Sequence, residues 1–310
     1  MILHPSHIAR NILNLFDTSK IRVIEGDYGL RMVVGEKWAN KHTNYANRHG
    51  IKEIRLNDST LNEFNDSLDF LAQINCIESL SIGWCGKIND LSPIGNLRQL
   101  KSLCLDYGAK DGLGFSLPSL PQLERLYLGE RIVNEEQVFL LSGLKRLGLT
   151  KYPTKQPSKE FSNLVNLEYL SVAESGLSEI EGLWGLKKIS EIHLLRLKHL
   201  VSLKGLEGSS TMLRKIRIEG CPTVGRIDSV GGAAGLEELY LYDCGNIPSL
   251  APISDLVNLR VLAIGGNTNI VDGKIGFLKE MPSLRDLRGA HRKHYDLSHQ
   301  EFSVLCGRKK

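Results

Sequence analysis

One period governs this chain. From Leu236 to Leu259, LEELYLYDCGNIPSLAPISDLVNL, leucines fall at LxxLxL, Cys244 follows three residues on, and Ile247, Leu250, Ile253 and Leu256 come at intervals of three. The first part alternates as a short strand does. An interval of three suits extended or 3₁₀-like turns better than a 3.6-residue helix. Such a unit buries nothing by itself, because its leucines need a copy on either side. Copies begin at Ile51, Ile77, Leu100, Leu123, Leu144, Leu167, Ile189, Leu213, Leu236, Leu259 and Leu284, with successive starts 26, 23, 23, 21, 23, 22, 24, 23, 23 and 25 residues apart. Chance does not hold a period through eleven copies.

The pattern is the leucine-rich-repeat signature. Copies such as CGKINDLSPIGNLRQL and CGNIPSLAPISDLVNL resemble the 22-residue repeats of internalins and of the leucine-rich-repeat regulatory subunits of protein phosphatases. The resemblance covers residues 51–290. It implies an α/β-type solenoid, a curved right-handed coil with a parallel β-sheet on its concave face and 3₁₀ segments or turns on its convex face. The copies from Leu100 to Asn166 depart from the strict pattern. There YGAKDGLGFSLPSLPQ is Gly-rich, NEEQVFLLSG predicts a short helix, and KYPTKQPSKEFSNL predicts an extended surface loop.

Residues 1–50 lie outside the repeat and read as an N-terminal cap over the end leucines. In HIARNILNLF, Ile8, Ile12, Leu15 and Phe16 have helical spacing; IRVIEGDYGLRMVV predicts a hairpin around Gly26–Gly29. Residues 291–310 form a C-terminal capping tail, in which Ser298 and Glu301 have the capping-box spacing and predict a helix from Ser298 to Leu305.

Composition narrows the function. With 39 basic and 35 acidic residues, the balance is too even for a nucleic-acid footprint. There is no apolar run of 18 residues, so no transmembrane helix is expected, and MILHPSHIARNILNLF lacks the apolar core of a signal peptide. Cys85, Cys221 and Cys244 take the ninth position of their copies, with Ser175 and Asn267 in the same place. There a small polar side chain turns inward to meet backbone groups. These cysteines work singly, which predicts free thiols and a reducing, cytoplasmic location. No CxxC, HExxH, GxSxG or Walker A sequence occurs. The expectation is therefore a non-enzyme without metal or cofactor, and the His291, His294, His299 group reads as a polar cap.

Function in such a chain rests on strand residues that the core does not claim. Third and fifth positions are expected to point to the concave face, and seventh and eighth positions to lie along its rim. The candidate partner-binding residues are Trp84, Tyr107, Arg125, Tyr127, Arg146, Tyr169, His193, Arg196, Lys215, Arg217, Tyr240 and Tyr242. Five of the nine tyrosines fall here and none of the eight phenylalanines, a sorting that favours the residue types of interface hot spots. Tyr also suits strands on its own account, and neighbouring rings cover one another. The third and fifth columns hold six basic residues (Arg55, Arg125, Arg146, Lys215, Arg217, Arg288) against four acidic (Glu53, Glu191, Glu238, Asp286), which predicts a protein partner with an acidic patch. Two roles fit. One is a scaffold or inhibitor that clamps a single partner in the concave face, as an immunity protein clamps a toxin. The other is a structural or regulatory subunit that uses the convex loops.

Overall fold

The computed structural model describes residues 22–34, 38–56, 68–83, 88, 90–107, 113–130, 135–152, 159–207 and 211–307. The helix expected over residues 7–16 and Trp84 and Cys85 lie outside them. The chain divides into two compact units, Met1–Leu123 with Arg131–Asn134, and Glu124–Glu130 with Glu135–Lys310.

In the first unit an antiparallel hairpin joins β1 (Arg22–Glu25) to β2 (Leu30–Val34). Next come α1 (Asn40–His49), β3 (Glu53–Leu56), β4 (Ser79–Ile82) and β5 (Ser102–Tyr107). β2 pairs in parallel with β3, and β3 with β4, so that Met32, Ile54 and Leu80 stand in one row. The parallel stack therefore starts one strand before Ile51. The strand pattern of that copy is hidden in the sequence because Gly29 holds the place of its first leucine. The hairpin also changes the fate of Glu53, a third-position residue expected on the open face. Arg31 Nε and Nη2 reach its carboxylate at 2.7 and 2.6 Å, and the Tyr28 amide donates to it. Glu53 is 1% exposed.

The second unit carries β6 (Arg125–Glu130), β7 (Arg146–Thr150), β8 (Tyr169–Ala173), β9 (Glu191–Leu195), β10 (Lys215–Glu219), β11 (Glu238–Tyr242), β13 (Val261–Gly265) and β15 (Asp286–Gly289) in sequence order across one sheet. Two short strands, β12 (Asn246–Ile247) and β14 (Asn269–Ile270), pair with each other elsewhere on the coil. Neighbouring strands from β6 to β15 in this sheet pair in parallel, and fourth positions meet fourth positions: Leu147, Leu170, Ile192, Ile216, Leu239, Leu262 and Leu287. Behind them lie 3₁₀ segments such as Glu181–Gly185, Asp228–Gly232 and Gly276–Lys279. The core fills the space between, where Leu236, Leu239, Leu241, Cys244, Ile247, Leu250 and Ile253 are all fully buried. Each unit is an open solenoid of strand and 3₁₀ segments. The segment expected to form a short helix is a 3₁₀ turn, Glu135–Leu140, which buries Val138 and Phe139.

Six copies close their strands in the same way. The eighth residue adopts a left-handed backbone at Lys151, Glu174, Arg196 and Asp243, with φ of 52–56°, and at Gly220 and Gly266. That turn aims the amide of this residue at the seventh-position carbonyl of the next copy, as in Lys151 N to Ala173 O at 2.8 Å and Glu174 N to Leu195 O at 2.9 Å. A non-glycine residue pays roughly 1–2 kcal/mol for this conformation, and the ladder bond offsets part of it. One position on, Cys221 and Cys244 turn inward, their thiols donating to Leu194 O at 3.6 Å and Ile218 O at 3.5 Å. Burial pushes both thiols up, to about 11 and about 12. Asn267 does not follow them, contrary to its position in the repeat. It is exposed, and the next residue, Thr268, is buried instead, accepting from Cys244 N at 3.0 Å and donating to Leu241 O at 3.1 Å. The turn after Gly265 admits one more residue before the chain goes in, within a copy 25 residues long.

The far end is closed by α2 (His299–Cys306), with Ser298 as its N-cap. Ser298 Oγ accepts from Glu301 N at 3.2 Å and the Glu301 carboxylate accepts from Ser298 N at 2.9 Å. Phe302 and Leu305 are the buried face of this helix.

Candidate functional site

Ten of the twelve residues singled out from the sequence belong to the second unit. Arg125, Arg146, Tyr169 and Lys215 occupy third positions; Tyr127, His193, Arg217 and Tyr240 occupy fifth positions; Tyr242 and Arg196 stand at the seventh and eighth. Trp84 lies outside the described residues, and Tyr107 is described in its backbone alone, at the end of β5. Register brings third residues side by side, as Arg125–Arg146–Tyr169–Glu191–Lys215–Glu238, and fifth residues likewise, as Tyr127–Gly148–Ser171–His193–Arg217–Tyr240–Ala263. Parallel strands about 4.8 Å apart make these into two continuous columns on the open face of the sheet.

The columns are tightly cross-braced. The Arg146 guanidinium lies over the Tyr169 ring at 4.1 Å, and its Nε approaches Tyr127 OH at 3.5 Å. His193 meets the Tyr169 ring edge-on at 5.3 Å; its Nδ1 is 3.4 Å from Tyr169 OH, and its Nε2 is 2.7 Å from Glu191. Lys215 sits between Glu191 at 3.2 Å and Glu238 at 3.7 Å. Arg217 forks onto Glu219, 2.9 and 2.6 Å from Nε and Nη2, with Tyr240 and Tyr242 rings both 5.9 Å from its guanidinium. Tyr240 OH donates to Glu238 at 2.9 Å, and Arg196 pairs with Glu174 at 2.5 Å.

This bracing alters two expectations. Tyr169 is only 3% exposed: Arg146 and His193 close over it, and burial pushes its phenol up to about 12. Its ring is a support for its neighbours, so removing it tests folding as much as binding. The basic excess counted on the two columns is also reduced, since Glu219, at a seventh position that the count left out, answers Arg217, while rim Arg196 is answered by Glu174. Partial burial opposes ionisation of Glu191, but the hydrogen bond and charge of His193 and the charge of Lys215 outweigh it and hold the carboxyl at about 2. Among the described residues, no group of three or more His, Cys, Asp or Glu side chains is arranged to hold a metal ion.

Two tyrosines lie down on glycine. A Cβ built on Gly148 would stand 2.4 Å from Tyr127 Cδ1, and one on Gly265 would stand 2.2 Å from Tyr242 Cε1. Each ring covers bare backbone on the next strand. The sequence holds the signal, a tyrosine followed one copy later by glycine at the same position, but only the register makes it visible.

No protein-family model and no curated protein matches the chain. Among solved structures, an internalin (inlF) of Listeria monocytogenes superposes with a TM-score of 0.59 at 20% identity, covering 78% of this chain and 73% of that one. This is the internalin-type leucine-rich-repeat fold. A second internalin of the same organism, inlC2, matches with a TM-score of 0.47 at 16% identity, over 71% of this chain and 83% of that one. No helix among the described residues is long and apolar enough to cross a membrane.

Proposed function

We propose that this chain is a non-catalytic protein-binding module, a scaffold or inhibitor that receives one protein partner on the open face of its second unit. The observation that carries this reading is the cluster on β10 and β11. There Arg217, held by Glu219, lies beside the half-exposed rings of Tyr240 and Tyr242. Tyrosine and arginine with their rotamers already fixed present apolar area and donors at small entropic cost, which is how interface hot spots work. The fold supports the same reading, because an open parallel sheet leaves a whole column of side chains to each purpose.

The test is affinity capture with the full chain, followed by titration of the recovered partner. Tyr240→Ala and Arg217→Ala are each expected to weaken binding by at least about 1 kcal/mol with thermal unfolding unchanged. Val257→Ser, an exposed position between strands, is expected to leave affinity alone. If instead the Val257 change abolishes binding and both strand changes are silent, the partner sits on the inter-strand surface and the chain acts as a complex subunit.

A further inference from the structure

We infer that the open face carries a receptor for one carboxylate, centred on Arg146, and that the partner inserts an Asp or Glu side chain there. This rests on the protein-binding reading above and names the chemistry of the partner at one point.

The cations of this face do not stand alike. Lys215 holds Glu191 and Glu238, Arg217 holds Glu219, Arg196 holds Glu174 and Arg288 holds Asp286; Arg125 is engaged as well. Arg146 differs. Among the described residues no carboxylate pairs with it, and its terminal Nη1 and Nη2 donors are not engaged by any described group. Its two interactions fix it without neutralising it: the Tyr169 ring beneath at 4.1 Å and Tyr127 OH beside Nε at 3.5 Å. The half-exposed guanidinium rests on a buried ring with its Nε against Tyr127, which leaves its terminal donors to a group that covers the sheet.

Its surroundings suit a short acidic side chain. Along the fifth column Tyr127 leans over Gly148, and His193 rises on β9. Between them stands Ser171, the small half-exposed residue on the same strand as Tyr169. A carboxylate entering above Ser171 would meet the Arg146 fork and a hydroxyl, with aromatic rings on both sides. Arginine favours planar, two-oxygen acceptors in this geometry. A lysine or arginine from the partner would face an uncompensated cation. An apolar side chain would cover that cation without pairing it, which is costly.

The probe is a phage-displayed library of random 12-residue peptides selected on the immobilised full chain, with recovered peptides synthesised and titrated. Peptides sharing one acidic position are expected. Replacing that residue by its amide, or Arg146 by Gln, should each weaken binding about tenfold or more, and the two changes together should cost little beyond either. Arg146→Glu should move selection toward Lys or Arg at that position, a reversal that a purely structural arginine would not produce. Thermal melts of both variants establish that they fold; if neither does, Arg146→Lys, which keeps the charge and loses the fork, should still weaken the acidic peptides. Binders that depend on Tyr240 or Arg217, share no acidic position and ignore Arg146 overturn this inference and leave the protein-binding reading standing. A selection that yields no binder, or only binders indifferent to all three residues, overturns both.

Discussion

Tyr127 and Gly148 show how a single residue serves a neighbouring copy. The ring occupies the volume of the side chain that glycine lacks. Gly148→Ala should therefore destabilise the protein by roughly 1–2 kcal/mol, as overpacking does. In a Tyr127→Ala background most of that penalty should vanish, because the clashing ring is gone. Equal penalties in both backgrounds, measured by urea unfolding, would show that the ring moves aside freely. Glu191 sets a pH dependence with a definite sign. Its folded carboxyl, held at about 2, lies below the ordinary 4.5. The stabilisation is full above about pH 4.5 and fades as pH falls toward 2. Glu191→Gln should flatten the stability profile in that window relative to the parent. Parallel profiles would mean that His193 and Lys215 do nothing for folding through this carboxylate.

At the level of elements, the second positions of several copies form charge ladders that the strand pattern alone does not advertise. In the first unit Lys52 and Lys101 both reach Glu78 at 2.6 Å; in the second, Lys145 reaches Glu124 at 2.9 Å, and Arg214 and Arg260 flank Glu237 at 3.4 and 3.7 Å. Such exposed pairs add little to stability singly, yet the alternating signs favour one register over a shifted one. The carbonyl of the same residue accepts two amides of the next copy, as Lys145 O does from Glu168 N at 2.8 Å and Tyr169 N at 3.1 Å. At the C-terminal end α2 supplies what a further copy would otherwise supply. Ser298→Ala removes its cap and should cost about 1 kcal/mol, read as a lower melting temperature, while Ser298→Asp should largely preserve it. If Ala melts with the parent, α2 is not what holds that end closed.

Across a whole unit, stability is shared among neighbours because each layer of core is built from adjacent copies. Leu241 is fully buried on β11, paired with Ile218 of β10 and Ile264 of β13. Leu241→Ala should cost about 2–5 kcal/mol. By nearest-neighbour coupling, hydrogen exchange should quicken in β10 and β13 as well as in β11. Exchange confined to β11 would show that copies open independently.

The repeat, its strand register and the inward or outward sense of most strand residues were all legible in the sequence. They follow from local rules: a two-residue alternation in the strand, an apolar residue every third place in the turn, and one copy that cannot bury itself without the next. The hairpin at Gly26–Gly29 and the capping box at Ser298 were legible for the same reason, since neither needs a distant partner. What lay beyond reach depended on contacts about one copy away. Glu53 is buried because a hairpin before the first recognisable copy folds onto it; Tyr169 is covered because Arg146 and His193 come from the strands on either side; Thr268 displaces Asn267 because one turn takes an extra residue. The charge balance of the open face belongs to the same class, for Glu219 and Glu174 answer Arg217 and Arg196 from rim positions. Side chains about 23 residues apart become neighbours only when the strands stack, and it is that stacking which seats Arg146 on the Tyr169 ring beside Tyr127.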